Sequence, residues 1–352
     1  MLEVFDQLTL KQKTYDMKEI NIYVCGPDIR DFININHARV YVFFDTLRRY
    51  LEYKKHRVRL AVNVPGNFVI GGIIGSKPMR STEKLAKEFF STSNSLNIKR
   101  ADFYLRIDEN MEEIISAIEE LERGGYAYRS GNDVYFDTSK RNMFGELLHA
   151  DAPSDKTGKE RHSLDFPLWL ECAEKEAGWK SPWGKGVPAQ HVGSAVMAKK
   201  LLERVDITGG GKELISPHHE RTRMVYTALY GGEFSDSYTY VGHTLNGTKA
   251  PTDDFTGVKE ILRRYSADEI RYFLLSHPYG EDITYSVKGL EECGKKLEKT
   301  RKKLEEPGKE DVKTFLEFFQ RNMQTDNALR FLETHGNVDM KWAATKILGI
   351  DF

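Results

Sequence analysis

The sequence lacks the features that would place it in a membrane, outside the cell or on nucleic acid through bulk charge. Its 352 residues carry 52 Lys and Arg against 53 Asp and Glu, and the net charge of -1 still permits a local basic patch. Three scattered cysteines, Cys25, Cys172 and Cys293, are too few for a disulfide framework and indicate a reducing cytoplasm. The longest apolar stretch, 68–75, is much shorter than a membrane span, and no signal peptide is expected.

Hydrophobic periodicity predicts a βαβ unit near the N-terminus. Buried strands are expected at 20–25 and 57–64 on either side of a helix at 38–54, which implies parallel strands with a right-handed crossover. A hairpin is expected around 130–133, and the chain from 265 onward is almost wholly helical. Further helices are expected at 81–96, 109–125, 193–204 and 217–230.

This alternation predicts an α/β fold in which a nucleotide-binding domain is split by an insertion. Its halves are expected at 1–75 and 186–265, with a connective insertion at 76–185 and a helical region at 266–352. Ligands of such sheets bind at the carboxyl ends of the strands. The segments expected to meet there are Cys25, the polar turn 34–37, the triple glycine 209–211 and the histidine pair 218–219.

Several motifs, in one order, resemble the cysteinyl-tRNA synthetases, which are class I aminoacyl-tRNA synthetases. They include VCGP and FDTLRRYLEY near the N-terminus, ADFYLRIDENMEEIISAIEELERGGYAY, DFPLWLECAE, DITGGGKELISPHHE and ILRRYSADEIRYFLLSHPY. The resemblance covers about residues 20–290. It implies a class I Rossmann-like catalytic domain with a connective insertion and a helical C-terminal region.

The family's first ATP signature, His-Ile-Gly-Asn or His-Ile-Gly-His, is altered here. The matching residues are Asn34, Ile35, Asn36 and His37. In the family the histidines bind the phosphates and the glycine makes room for adenine. Asn34 cannot carry a positive charge, and Asn36 adds a side chain. Two interpretations stay open: a helix cap, or a weakened phosphate site in which His37 remains catalytic.

The second ATP signature, Lys-Met-Ser-Lys-Ser, is matched by residues 247–254. Lys249 is kept as the candidate catalytic lysine, whereas the second lysine is replaced by Thr252. Asp253 and Asp254 would repel a triphosphate. The resemblance therefore implies a weak ATP site with a non-catalytic loop.

The family's zinc site is also incomplete, because only two of its Cys, Cys, His and Glu ligands are present. The matching residues are Cys25, Ser194, His218 and Thr222. Hydroxyl groups are weak zinc ligands, so zinc is not expected unless another side chain replaces them. The candidate replacements are Cys172, Cys293, His191 and His219.

The remaining residues of the predicted cleft match the family's motifs, with Glu213 where the family has an aspartate near the ribose. A tight turn explains the triple glycine equally well, and the histidine pair could be structural. The expected ATP-binding residues are Gly26, Asn34, Asn36, Gly209, Gly210, Gly211 and Glu213. The expected substrate-pocket residues are Cys25, Gln190, His191, Ser194, His218, His219 and Thr222, with Gln190 in place of a pocket tryptophan.

The helical region resembles only the start of the family's anticodon-binding part, and a truncated version is expected. Arg263, Arg264, Arg271 and the basic run 295–303 could contact an RNA stem, although a charged helix face is more often only solvated.

Three functions remain open at this point. The first is a paralogue that no longer attaches cysteine and binds a nucleotide, tRNA or another RNA, or a protein. The second is a repurposed ATP-dependent ligase acting on another small carboxylate. The third is a residual cysteine--tRNA ligase. A cytoplasmic location and no membrane contact are expected for all three.

Overall fold

The computed structural model describes residues 1–26, 33–63, 82–141, 143–150, 158–174, 176–246 and 257–352. Its strands are β1 (Leu2–Asp6), β2 (Lys11–Tyr15), β3 (Glu19–Val24), β4 (Arg57–Asn63), β5 (Phe103–Leu105), β6 (Ala127–Ser130), β7 (Asp133–Phe136), β8 (Phe166–Glu171), β9 (Trp179–Ser181), β10 (Gly184–Pro188), β11 (Ile207–Gly211), β12 (Ser237–Val241), β13 (Thr244–Asn246) and β14 (Ile283–Tyr285). Its α-helices are α1 (Ile35–Tyr53), α2 (Thr82–Ser95), α3 (Met111–Arg123), α4 (Gln190–Leu202), α5 (Glu220–Tyr230), α6 (Val258–Ile261), α7 (Ala267–Leu275), α8 (Val287–Lys303), α9 (Val312–Gln320), α10 (Thr325–His335) and α11 (Val338–Leu348).

The central sheet is parallel, with the strand order β12-β11-β3-β4-β5. Helix α1 connects β3 to β4, so the predicted βαβ unit is confirmed. The strand order changes direction at β3, because β4 and β5 lie on one side of it and β11 and β12 on the other. The cleft at the carboxyl ends of β3 and β11 is therefore the expected ligand position.

Helix α1 begins at Ile35, earlier than the predicted start at 38, so residues 35–37 are its first turn and not a separate loop. Asn34 is the cap residue: its side chain accepts a hydrogen bond from His37 N, and the His37 side chain faces the Asn34 backbone amide. This reciprocal pair satisfies amides that the helix leaves unpaired. Hydrophobic periodicity does not predict this first turn because Asn36 and His37 are polar.

The triple glycine lies inside β11 and not in a turn after it, which corrects the expected position. A side-chain carbon at Gly209 would overlap the ring of Phe44 on α1. The strand uses glycine because the helix packs directly against its backbone.

The insertion contains a second sheet, which is antiparallel and ordered β6-β7-β8-β10-β9. The predicted hairpin is confirmed as β6 and β7. Residues 182–188 form the turn and the second strand of the β9–β10 hairpin.

The chain after 265 is mainly helical, as predicted, and packs on the central domain. Arg271 on α7 is fully buried and donates to Asp45 on α1 (2.7 Å) and to the Leu348 carbonyl at the end of α11 (2.7 Å). Within the described residues, no helix is long and apolar enough to span a bilayer.

Candidate functional site

The cleft is assembled from the ends of β3 and β11 and from the turn that leads into α5. The Cys25 amide donates to the Gly209 carbonyl across the two strands, at 2.9 Å. A side-chain carbon at Gly210 would lie 3.5 Å from the Cys25 carbonyl oxygen and 3.6 Å from Cε1 of His219. The structure thus brings together the cysteine, the glycine strand and the histidine pair that the sequence places far apart.

Cys25 lies in a buried polar cluster. Its Sγ is 3.1 Å from His218 Nε2. The side-chain amide of Asn63 donates to Cys25 Sγ at 3.4 Å and to Ser194 Oγ at 3.3 Å. Burial raises the pKa of the Cys25 thiol to about 12. The thiol is therefore protonated near neutral pH and can donate to the imidazole.

The paired histidines are uncharged near neutral pH. Burial lowers the pKa of His218 to about 3, and the positive charge of Arg221 adds to the shift. Burial also places the pKa of His219 well below its usual value. His219 Nδ1 lies 2.6 Å from the Tyr240 hydroxyl, whereas its buried Nε2 has no partner among the described residues.

Helix α4 supplies the opposite wall through its first two turns, where Gln190, His191 and Ser194 are all buried. His191 Nε2 lies 2.9 Å from the Pro167 carbonyl, and burial holds its pKa well below the usual range. His191 is therefore held as a structural histidine on that side. Ser194, by contrast, faces the Cys25 cluster.

Thr222, the residue that replaces the family's glutamate, donates its hydroxyl to the His218 carbonyl at 2.9 Å. That bond runs from Thr222 back to the residue four positions before it in the chain. Thr222 therefore supports the position of His218 and supplies no carboxylate.

A possible metal-binding group is formed by Cys25, His218 and His219, whose ligand atoms all lie within 4.8 Å of one another. Two of these three match the family's zinc ligands, and His219 is one of the replacements considered from the sequence.

A second such group, which the sequence analysis missed, lies in the insertion and consists of Asp137, His162 and Asp165. Asp165 accepts hydrogen bonds from the Tyr128 hydroxyl, from the amide and hydroxyl of Thr138, and from the His162 amide. Its oxygens are used within the protein, so this group is structural.

The nucleotide side of the cleft begins at α1. The Asn34 oxygen caps the helix, and the buried Asn36 oxygen accepts from the Thr244 amide at 2.8 Å. Burial lowers the pKa of His37 to about 4, so its ring is neutral near pH 7. Asn36 connects α1 to β13, a structural role that its position in the motif did not reveal.

Glycines and an acid form the other wall of the cleft that the sequence predicts to bind ATP. A side-chain carbon at Gly26 would lie 2.7 Å from the Asn63 carbonyl oxygen and 2.8 Å from the Tyr41 hydroxyl, and one at Gly211 would overlap the Glu213 carboxylate. Burial raises the pKa of Glu213, which lies 3.5 Å from His243 Nδ1. His243 was not identified from the sequence; its place just after β12 was the available signal.

Two further predictions concern the candidate catalytic lysine and the arginines expected to contact RNA. Lys249 and the whole of 247–256 lie outside the described residues. Arg271, considered for RNA contact, is fully buried, so that expectation is wrong, whereas Arg263 and Arg264 are exposed.

Comparisons with known proteins agree with this geometry. The family model of the class I tRNA synthetase (C) catalytic domain matches residues 11–295. The cysteine--tRNA ligase of Pyrococcus horikoshii is 35% identical over 310 residues, which cover 82% of this chain and 65% of that protein. The Clostridioides difficile cysteine--tRNA ligase is 36% identical over 327 residues, covering 86% of this chain and 70% of the relative. The chain thus spans about two thirds of the length of these relatives.

Solved structures show the same fold at low sequence identity. Mycobacterium tuberculosis methionyl-tRNA synthetase in complex with methionyl-adenylate superposes with a TM-score of 0.64 at 14% identity, covering 90% of this chain and 82% of that one. A putative arginyl-tRNA synthetase from Campylobacter jejuni gives 0.62 at 13% identity, covering 96% and 94%. Together with the family match, these findings establish that the chain belongs to the class I tRNA synthetase family of the cysteine--tRNA ligases.

Proposed function

We propose that this chain uses the synthetase fold to bind a nucleotide in the cleft and does not join cysteine to tRNA. The observation that carries the proposal is the engagement of Asn34 and Asn36. Their side-chain oxygens cap α1 and bind the Thr244 amide, which fixes the orientation of both amide groups. Neither amide carries a charge with which to stabilise the phosphates of ATP.

The electrostatics of the cleft support the same proposal. Adenylate formation places negative charge on the phosphates, and preorganised cations stabilise that charge. His37 is neutral near pH 7 because burial lowers its pKa to about 4. The second lysine of the family's mobile loop is Thr252 here. Nucleotide binding through glycine backbone amides does not need these charges, whereas catalysis does.

A second candidate is a repurposed ATP-dependent ligase that activates another small carboxylate. The observation that favours it is the retained nucleotide wall. Gly26 and Gly211 have no side chains that would separate a ligand from the backbone. Glu213 stands near the expected ribose position. Such a ligase would use His37 and Lys249 in catalysis.

The test is ATP–pyrophosphate exchange by the full chain against all twenty amino acids, with and without zinc, together with equilibrium binding of ATP. We expect saturable ATP binding and no exchange. Exchange with another amino acid would establish the repurposed ligase. Exchange with cysteine, or the lack of any ATP binding, would overturn the proposal, and in the latter case RNA and protein partners would be sought.

A matched pair of variants sharpens this test. His37→Asn and Lys249→Ala should leave ATP binding within about twofold if the chain only binds, because the ligand is held mainly by backbone groups. A ligase would lose exchange by about 100-fold or more in the same variants.

A further inference from the structure

Cys25 Sγ and His218 Nε2 stand at hydrogen-bond distance, closer together than two ligands of one zinc ion. Two ligands of a tetrahedral zinc ion, with Zn–S of about 2.3 Å and Zn–N of about 2.0 Å, lie about 3.5 Å apart. Cys25 Sγ and His218 Nε2 are 3.1 Å apart. This distance suits a thiol that donates to an imidazole, so the two retained zinc positions are already paired with each other.

The two substituted zinc positions are also occupied by hydrogen bonds. Ser194 Oγ lies 3.3 Å from the Asn63 amide, and the Thr222 hydroxyl donates to the His218 carbonyl. The buried Arg221 adds positive charge near His218, which further disfavours a divalent cation there. The residues present therefore do not fit the zinc ion of the family.

Two buried polar atoms in the same place nevertheless lack a partner among the described residues. They are the hydroxyl of Tyr23 and Nε2 of His219, which belong to residues 0% and 1% exposed. Both residues lie beside Cys25: Tyr23 stands two positions before it on the same face of the strand, and the Cys25 sulfur lies within 4.8 Å of a ring nitrogen of His219. A buried polar group without a hydrogen bond is costly, so these two atoms indicate a polar ligand beside Cys25.

We propose that the Cys25 centre is a metal-free pocket in which Tyr23 and His219 hydrogen-bond a neutral polar group of a small ligand, such as a hydroxyl. This inference rests on the proposed function only in assuming that the cleft binds a ligand. Without a metal to bind a thiolate, a thiol ligand gains no advantage over the corresponding hydroxyl.

The metal half of the proposal is tested by measuring zinc in the full chain after incubation with excess zinc and exhaustive dialysis. We expect less than about 0.1 zinc per chain in the wild type. Ser194→Cys combined with Thr222→Glu restores the family's ligand set and should retain about one zinc per chain, which serves as the positive control. About one zinc per wild-type chain, lost in Cys25→Ser and His219→Ala, would overturn the proposal.

The ligand half is tested by calorimetric titration with serine, cysteine and alanine as probes. We expect serine and cysteine to bind within about tenfold of each other, with or without zinc, and alanine to bind about tenfold more weakly than serine because it lacks the hydrogen-bonding group. A preference for cysteine above about 100-fold, or no saturable serine binding, contradicts the proposal.

Tyr23→Phe gives a signature that a purely structural tyrosine would not produce. Removal of a buried, unpartnered hydroxyl should raise the melting temperature of the free protein by about 2 °C. The same change should weaken serine binding by about tenfold. Tyr50→Phe, on α1 outside the cleft, is the control and should leave binding unchanged. Unaltered serine affinity in Tyr23→Phe would overturn the role of Tyr23. None of these readouts requires adenylation, so they stand apart from failure of the exchange test.

Discussion

At the start of α1, two asparagine side chains are engaged in hydrogen bonds within the protein. Asn34 and Asn36 stand where the motif resemblance places a histidine and a glycine. Asn34 caps the helix, and Asn36 binds the Thr244 amide of β13. The neutral His37 ring accepts from the Asn34 amide, at 3.4 Å. Residues that the resemblance predicts to face ATP are therefore part of the protein's own hydrogen bonding.

Asn36→Ala should destabilise the protein because it leaves the buried Thr244 amide without an acceptor. The expected loss is about 1–3 kcal/mol in the free energy of unfolding. Urea denaturation measures it, with Asn327→Ala on the half-buried face of α10 as a control that should change stability by less than about 0.5 kcal/mol. An Asn36→Ala protein as stable as the wild type would show that the bond to Thr244 contributes nothing.

His37 should make stability fall as the pH decreases from about 6.5 to about 4. Its pKa is about 4 in the folded protein because of burial, whereas the unfolded value is about 6.5. The unfolded chain therefore binds more protons in this window, and protonation also removes the acceptor for the Asn34 amide.

The measurement is the free energy of unfolding against pH for wild type and His37→Asn. The variant's slope should be smaller by up to one proton, or about 1.4 kcal/mol per pH unit. Equal slopes in His37→Asn and wild type would contradict a depressed pKa.

At the scale of elements, the contact of β11 with α1 sets the shape of the cleft. Gly209 lets the Phe44 ring lie directly on the strand, and Gly210 leaves room for the Leu214 side chain. Sequence periodicity was sufficient to find β3, α1 and β4, because their apolar residues repeat regularly. It placed the triple glycine in a turn because glycine is rare in strands, and only the packing against α1 explains it.

The residues of the candidate site could likewise be predicted only in part from the sequence. Motif resemblance located Cys25, His218 and Ser194, since these residues stand in recognisable segments. The contributions of Tyr23 and Asn63 depend on side chains that meet across the sheet edge, and no local pattern encodes such meetings.

Gly209→Ala should destabilise the protein by about 1–3 kcal/mol, because the new methyl group overlaps Phe44. Adding Phe44→Leu should recover part of the loss, which a double-mutant cycle by chemical denaturation would measure. Gly280→Ala is the matched control, since no atom lies within 4 Å of its added carbon. Additive effects of the two substitutions would mean that the strand and the ring do not constrain each other.

At the scale of the whole molecule, one buried arginine connects the helical region to the central domain. Arg271 donates to Asp45 on α1, to the Leu96 carbonyl after α2 and to the Leu348 carbonyl at the end of α11. Asp45 also accepts from Arg49 at 2.8 Å. The C-terminal helices are thereby fixed to α1, whose first turn lines the cleft proposed to bind a nucleotide.

Arg271→Met should lower the free energy of unfolding by about 3–5 kcal/mol, because it leaves the buried Asp45 carboxylate with only one arginine partner and the Leu348 carbonyl with none of its bonds to Arg271. We expect α11 to become the first site of cleavage in limited proteolysis, since its end loses both bonds to α7. Arg264→Met, at an exposed position near α7, should change stability by less than about 0.5 kcal/mol. If Arg271→Met unfolds at the wild-type urea concentration with α11 still protected, apolar packing alone holds the helical region in place.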